Sequence, residues 1–195
     1  MGHEERKIAQ IAQLAASSFR EHQLELTRDD GLFRSWRCGK PGCCNYAFKV
    51  VTFPGTLLVT GDLGTLVVQR TDDMIDWARS AIRSLGYFAE KVIPEITTRE
   101  FSPEVTIESL QRLEEDWYNG EMPEDMDEEV TLLIVDLKNG EIGQDEVLRR
   151  LDDAGVSDAW ELSMTCYKSR FLWQVEALKW FYSQLDKGAA HVSGQ

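Results

Sequence analysis

The fold is decided by residues 36–70, which read WRCGKPGCCNYAFKVVTFPGTLLVTGDLGTLVVQR. β-Branched and aromatic residues fill three short runs within this stretch, and such runs are typical of a pleated, half-buried surface. Between the first two runs, Pro54 presets the φ of a type II turn and Gly55 supplies the positive φ at the next position. A second tight reversal is predicted at Gly61-Asp62-Leu63-Gly64. The stretch therefore predicts an antiparallel β-meander.

The segments before and after the meander add helices and two more strands. Apolar residues at three- and four-residue steps predict an amphipathic helix over residues 4–20. Alternating apolar residues predict strands at 22–27 and 32–37, joined by a turn at Asp29-Asp30-Gly31. A helix at 72–85, with Thr71 as its N-cap, is predicted to lie against the sheet.

The second half of the chain has helical signals only. Ser102-Pro103-Glu104 opens a helix with a capping residue, a proline in the first turn and an early acid. Residues 128–137 predict a helix in which the run Leu132-Leu133-Ile134-Val135 is buried. The last helix is predicted at 158–185, at the centre of the helical half or covered by a partner, because it is apolar on more than one side.

Together these elements predict an α+β fold, in which an N-terminal helix and an antiparallel β-meander sheet with a packing helix precede an acidic, all-helical C-terminal region. We place the helix-plus-sheet unit at residues 1–94 and the acidic helical region at 103–187. Residues 188–195 are predicted to form a disordered tail. No apolar run approaches the length of a membrane span, and no signal-peptide pattern precedes the first helix, so the expected location is the cytoplasm.

Net charge is the most informative number in the composition. The chain carries −13, and residues 1–100 hold 13 basic and 13 acidic residues, whereas residues 101–195 hold 8 and 21. Such a half would repel phosphates, so it is not expected to bind nucleic acid directly, and it would be attracted to basic protein surfaces. Solubility alone is the competing explanation of this charge.

The predicted partner-binding residues are carboxylates concentrated between residues 114 and 129, where nine acids occur without a base. With two acids of the preceding helix, they are Glu104, Glu108, Glu114, Glu115, Asp116, Glu121, Glu124, Asp125, Asp127, Glu128 and Glu129. An alternative site for a nucleotide or small ligand combines basic and aromatic residues of the second strand with the turn aspartate: Arg34, Trp36, Arg37 and Asp62. The structural explanations are ordinary surface charge beside a core Trp for the basic residues and, for Asp62, a turn carboxylate that accepts hydrogen bonds from nearby backbone N–H groups.

Catalysis and metal binding find little support in the sequence. Cys38, Cys43 and Cys44 crowd one loop, but a closed zinc site needs a second ligand cluster, so free thiols are expected and no metal or cofactor is assigned. A calcium loop around Gly140 fails because Val135 and Leu137 would occupy positions that need oxygen ligands. Neither a nucleophile elbow nor a zinc-protease helix is present, so an enzymatic function has no support in the sequence and a non-enzymatic one is preferred.

Residues 32–37, 48–55, the Gly61-Asp62-Leu63-Gly64-Thr65 turn and Asp73-Met74 resemble a family of uncharacterised proteins carried by bacteriophages and prophages. The resemblance covers about residues 22–90 and implies an accessory protein of a mobile element, located in the bacterial cytoplasm. Our leading hypothesis is a non-enzymatic, anti-CRISPR-like inhibitor whose acidic surface occupies a basic, normally nucleic-acid-binding surface of a host defence protein. A ligand-binding protein that uses the sheet face, and a structural or regulatory phage protein that forms homo-oligomers, are the alternatives.

Overall fold

The computed structural model describes the backbone of residues 1–192 and the side chains of residues 1–187, and it confirms the α+β class. The chain divides into two compact units. The sheet unit contains residues 8–98 and 168–195, and the acidic unit contains residues 1–7 and 99–167. The first helix, α1 (His3–Ser18), passes from the acidic unit into the sheet unit after Lys7.

Five antiparallel strands form the sheet, in the order in which they occur in the chain. They are β1 (Gln23–Asp30), β2 (Phe33–Gly39), β3 (Phe48–Phe53), β4 (Thr56–Gly61) and β5 (Leu66–Gln69). Gly55 has a φ of 78°, so the Pro-Gly turn between β3 and β4 forms as predicted. At the next reversal a side chain on Gly61 is impossible, because an added Cβ would lie 2.5 Å from the carbonyl oxygen of Ala47. The predicted meander is confirmed.

One face of the sheet is covered by helices. Trp36 and Phe48 point from this face to Phe181 and Trp180 of α8 (Ser169–Val192), with ring centroids 5.1 and 5.9 Å apart. Phe19, just after α1, completes the cluster, with its ring 6.0 Å from Trp173 and 6.1 Å from Trp180. The second apolar side of α8 is therefore buried by the chain itself. The last helix is central to a core, as predicted. The prediction that this core belongs to the helical half is wrong, because α8 packs on the sheet.

Two shorter helices complete this unit, α2 (Met74–Ala81) and α3 (Leu85–Ala89). The N-cap of α2 is Asp73 instead of the predicted Thr71, and its carboxylate accepts a hydrogen bond from the backbone N–H of Ile75 at 3.0 Å. Asp and Thr are both good caps, and the carboxylate also complements the helix dipole. The hydroxyl of Tyr182 donates to the carbonyl of Ile75 at 3.0 Å and joins α2 to α8.

The acidic unit combines helices with a two-stranded antiparallel sheet that the sequence did not predict. Strands β6 (Arg99–Phe101) and β7 (Thr165–Tyr167) pair across the unit. Its helices are α4 (Pro103–Leu110), α5 (Leu113–Tyr118), α6 (Glu124–Asn139), α7 (Gln144–Asp153) and a single 3₁₀ turn at Ala159–Glu161. Ser102 caps α4 as predicted. Leu110, Leu133 and Leu151 lie at the centre of its core.

Three predicted boundaries differ from the structure. The last helix begins at Ser169 instead of residue 158, because the preceding residues form the 3₁₀ turn and β7. The last helix also belongs to the sheet unit, whereas we predicted it within the region 103–187. Of the predicted tail, residues 188–192 continue α8, and residues 193–195 lie outside the described residues. No described helix has the length and apolar character of a membrane span.

Negative charge is separated more completely between the two units than between the two halves of the sequence. The acidic unit holds 22 acidic and 7 basic residues, a net charge of −15, and the sheet unit holds 12 and 14, a net charge of +2. Residues 168–187 hold four basic residues (Lys168, Arg170, Lys179 and Lys187) and two acidic ones (Glu176 and Asp186), and their net charge of +2 goes to the sheet unit. The separation of charge is therefore a property of the folded units.

Candidate functional site

The predicted acidic residues divide into a paired group and an unpaired group. Glu104, Glu108 and Glu129 form the paired group. Glu108 accepts hydrogen bonds from the backbone N–H of His3 at 2.9 Å and from Arg6 at 3.1 Å, and these contacts hold the pKa of its carboxyl below the usual range. The carboxylate of Glu104 accepts a hydrogen bond from the hydroxyl of Ser102 at 2.9 Å and lies 4.0 Å from the ring of His3. These acids serve the fold of the acidic unit.

Glu129 belongs to a half-buried ion pair between two helices. Its carboxylate and that of Asp136, both on α6, each lie 2.5 Å from the guanidinium of Arg150 on α7. The Arg150 side chain is only 17% exposed, so water screens these contacts less than at an open surface. Glu129 therefore joins α6 to α7, and its carboxylate is already paired within the unit, unlike those of its exposed neighbours.

The unpaired group contains the other eight predicted acids. All eight are exposed, and within residues 1–187 none lies within 4.0 Å of a basic nitrogen. They occupy the first turn of α5, the following loop and the start of α6: Glu114, Glu115, Asp116, Glu121, Glu124, Asp125, Asp127 and Glu128. Acids in first turns also stabilise a helix through its dipole, which explains part of this pattern locally. We refer to these eight residues as the acidic surface.

Helix α6 also exposes apolar side chains where burial was predicted. Only Leu133 of the run Leu132-Leu133-Ile134-Val135 is fully buried, while Leu132 is 52% and Val135 47% exposed. Four consecutive helical residues span the whole circumference, so a helix with one buried side cannot bury all of them. Glu124, Glu128, Leu132 and Val135 follow one another at steps of four, four and three residues, so they lie along one side of α6. These four residues form the α6 stripe.

The alternative ligand site is only partly assembled. Trp36 is 6% exposed and belongs to the core face of β2, so it is not available to a ligand. Arg34 lies beside Asp73 at 3.3 Å and Asp29 at 3.7 Å. Asp62 accepts a hydrogen bond from the backbone N–H of Tyr46 at 2.6 Å, as the structural explanation requires, and it lies in a different depression beside Trp173. Of the four predicted residues, Arg37 alone is exposed on the open face of the sheet.

The open face contains residues that sequence reasoning passed over. Lys49 and Phe53 of β3 lie there with Phe33 and Arg37 of β2, around a depression of about 530 Å³. Phe33 is 48% and Phe53 41% exposed. Strand alternation is the signal that identifies them, because Phe48, Val50 and Thr52 face the helices and their neighbours must face away. This depression is the second candidate site.

The cysteine loop gives no third site. Cys38 is on the core face of β2, and burial raises the pKa of its thiol far above the usual range. Cys43 and Cys44 lie in the loop after it, and all four cysteines are free thiols. Among the described residues, no three His, Cys, Asp or Glu side chains come close enough to share a metal ion.

Comparison with known proteins returns no relative: no family model, curated protein or solved structure matches the chain.

Proposed function

We propose that this chain is a non-enzymatic binding protein of a phage or prophage that docks through its acidic unit onto a basic, normally nucleic-acid-binding surface of a host protein. An inhibitor of a defence protein, similar in action to anti-CRISPR proteins, is the form of this function that we favour. One observation carries the proposal: a net charge of −15 is confined to one compact unit, whose acidic surface presents eight exposed and unpaired carboxylates.

The α6 stripe supplies the second component of binding. Carboxylates accelerate encounter with a basic surface, whereas burial of apolar side chains slows dissociation. Glu124 and Glu128 lie along one line with Leu132 and Val135, so steering and apolar contact share one surface about 16 Å long. Trp160, 71% exposed in the 3₁₀ turn of the same unit, is a further candidate anchor, since tryptophan is enriched among residues that dominate interface affinity.

The test uses two triple variants with the same change of charge. The first neutralises the acidic surface (Glu121→Gln, Glu124→Gln and Glu128→Gln), and the second neutralises exposed acids elsewhere in the unit (Asp145→Asn, Asp152→Asn and Glu161→Gln). A host protein captured by the wild type is purified, and its association rate is measured for all three forms between 50 and 500 mM salt.

We expect the first triple variant to associate about tenfold more slowly at low salt, with the second close to wild type, because local charge sets the steering. Single-stranded DNA or RNA should displace the wild-type protein from its partner. Equal loss in both triple variants, or association that salt leaves unchanged, would refute docking through this surface. A Leu132→Ser/Val135→Ser variant should instead increase the dissociation rate.

A further inference from the structure

The open face of the sheet presents an arrangement of cations that the fold does not require. Arg37 on β2 is directly opposite Lys49 on β3. Like charges in this relation destabilise a sheet. Arg37 is also opposite Glu25 on β1, but no carboxylate of the described residues lies within 4.0 Å of either Arg37 or Lys49. Two exposed cations are thus held side by side, and neither forms an ion pair among the described residues.

Exposed aromatic rings occupy the other end of the same depression. Phe33 begins β2 and Phe53 ends β3, and extending the observed register by one residue places them opposite each other. Both line the depression of about 530 Å³, together with Arg37 and Lys49. The guanidinium of Arg28, on β1, lies 5.9 Å from the centroid of the Phe33 ring. The two rings, 48% and 41% exposed, therefore form one apolar patch next to the two cations.

From this juxtaposition we propose that the open face binds a short single-stranded nucleic acid, with bases stacked on Phe33 and Phe53 and phosphates held by Arg37 and Lys49. Aromatic side chains on a sheet, flanked by cations, provide the stacking and the neutralisation that single strands need. A duplex is excluded from such a platform, because its base faces are already stacked on one another. This site is separate from the acidic surface and does not depend on the function proposed for it.

The length of the site favours a strand over a free nucleotide. Phe33 and Arg37 are four residues apart on one strand, which corresponds to about 13 Å. Successive nucleotides of one DNA strand advance about 3.4 Å in B-form and further when extended, so rings and cations at this separation contact different nucleotides. The rings and the cations would therefore act together only on an oligonucleotide.

Fluorescence anisotropy with a labelled dT12 oligonucleotide tests the site on the full chain. Measurements start at about 50 mM salt, because the net charge of −13 opposes binding. The variants are Arg37→Gln/Lys49→Gln for the cations and Phe33→Ser/Phe53→Ser for the rings. The matched charge control is Arg20→Gln/Arg83→Gln, two exposed arginines of the same unit whose side chains form no ion pair among the described residues. Circular dichroism establishes that each variant is folded.

We expect saturable binding by the wild type and a slope of log K against log salt of about −1.4, from two phosphates. The cation variant should lose most of this slope and at least tenfold in affinity, and the ring variant should lose about tenfold or more. The control should bind like the wild type. Four results would overturn the proposal: no binding of dT12, equal losses in the control, binding of dTMP as tight as that of dT12, or a dimer by light scattering that becomes a monomer in the Phe33→Ser/Phe53→Ser variant.

Discussion

Reversing the charge of Lys49 should stabilise the protein, because Lys49 is directly opposite Arg37 on the neighbouring strand and the two like charges repel each other. Directly opposite strand residues have Cβ atoms about 5 Å apart, and two unit charges at such a separation in water interact by about 0.8 kcal/mol, a value that physiological salt roughly halves. Lys49→Glu replaces repulsion with attraction of similar size, so the free energy of unfolding should rise by about 0.5–1 kcal/mol. Lys and Glu are both depleted in strands, so intrinsic propensity contributes little to the difference.

Thermal and urea unfolding of the full chain measure this effect. For a chain of 195 residues, a gain of 1 kcal/mol raises the Tm by roughly 2–4 °C. Lys49→Gln should give about half of the gain, because it removes repulsion without adding attraction. A double-mutant cycle supplies the control, since Lys49→Glu should gain nothing when Arg37 is already Gln. Unchanged stability in Lys49→Glu, or a gain that persists without Arg37, would show that the two cations do not repel each other appreciably.

Two further predictions concern the acidic unit. Arg150→Met should lower the free energy of unfolding by about 2–3 kcal/mol, because it leaves the half-buried carboxylates of Glu129 and Asp136 without their shared cation. Arg149→Met should lower it by less than about 1 kcal/mol, because the Arg149 side chain is 59% exposed. Equal losses in urea unfolding would contradict the structural role of Arg150. The carboxyl of Glu108 has a lowered pKa in the folded state, so its stabilising contribution is complete above the unfolded pKa of about 4.3 and is lost as pH falls through the folded pKa. Glu108→Gln should therefore be less stable at pH 7 and lose less stability on acidification than the wild type. Glu115→Gln is the matched control, since Glu115 forms no ion pair among the described residues, and its stability at pH 7 should equal that of the wild type.

The sheet was predictable because its turns are encoded locally. Pro54 and Gly55 set the backbone angles of one reversal, and Gly61 permits a close approach that no other residue allows. The start of α8 was not predictable in the same way. Residues 165–167 form a strand because they pair with residues 99–101, which are more than sixty positions away in the chain. Local sequence patterns contain no information about such a distant partner.

The candidate sites show a similar division. Charge counts located the acidic surface, but only coordinates separated Glu129, paired with Arg150, from its unpaired neighbours. On β2 the sequence placed Trp36 and Arg37 in one site, although adjacent strand residues point to opposite faces. On β3 the residue directly opposite Arg37 is Lys49, and this pair is known only from the register between β2 and β3. Register depends on how strands pair, so sequence alone left this pair unrecognised.

The main segment of the acidic unit starts and ends next to two residues of the sheet unit, Thr98 and Lys168, that are hydrogen-bonded to each other. The backbone N–H of Lys168 donates to the carbonyl of Thr98 at 2.8 Å. Because the two ends of this segment meet, residues 99–167 form an insertion between adjacent positions of the sheet unit. An insert of different sequence between Thr98 and Lys168 should therefore leave the sheet unit folded, provided that residues 1–7, which belong to the acidic unit, are replaced with it.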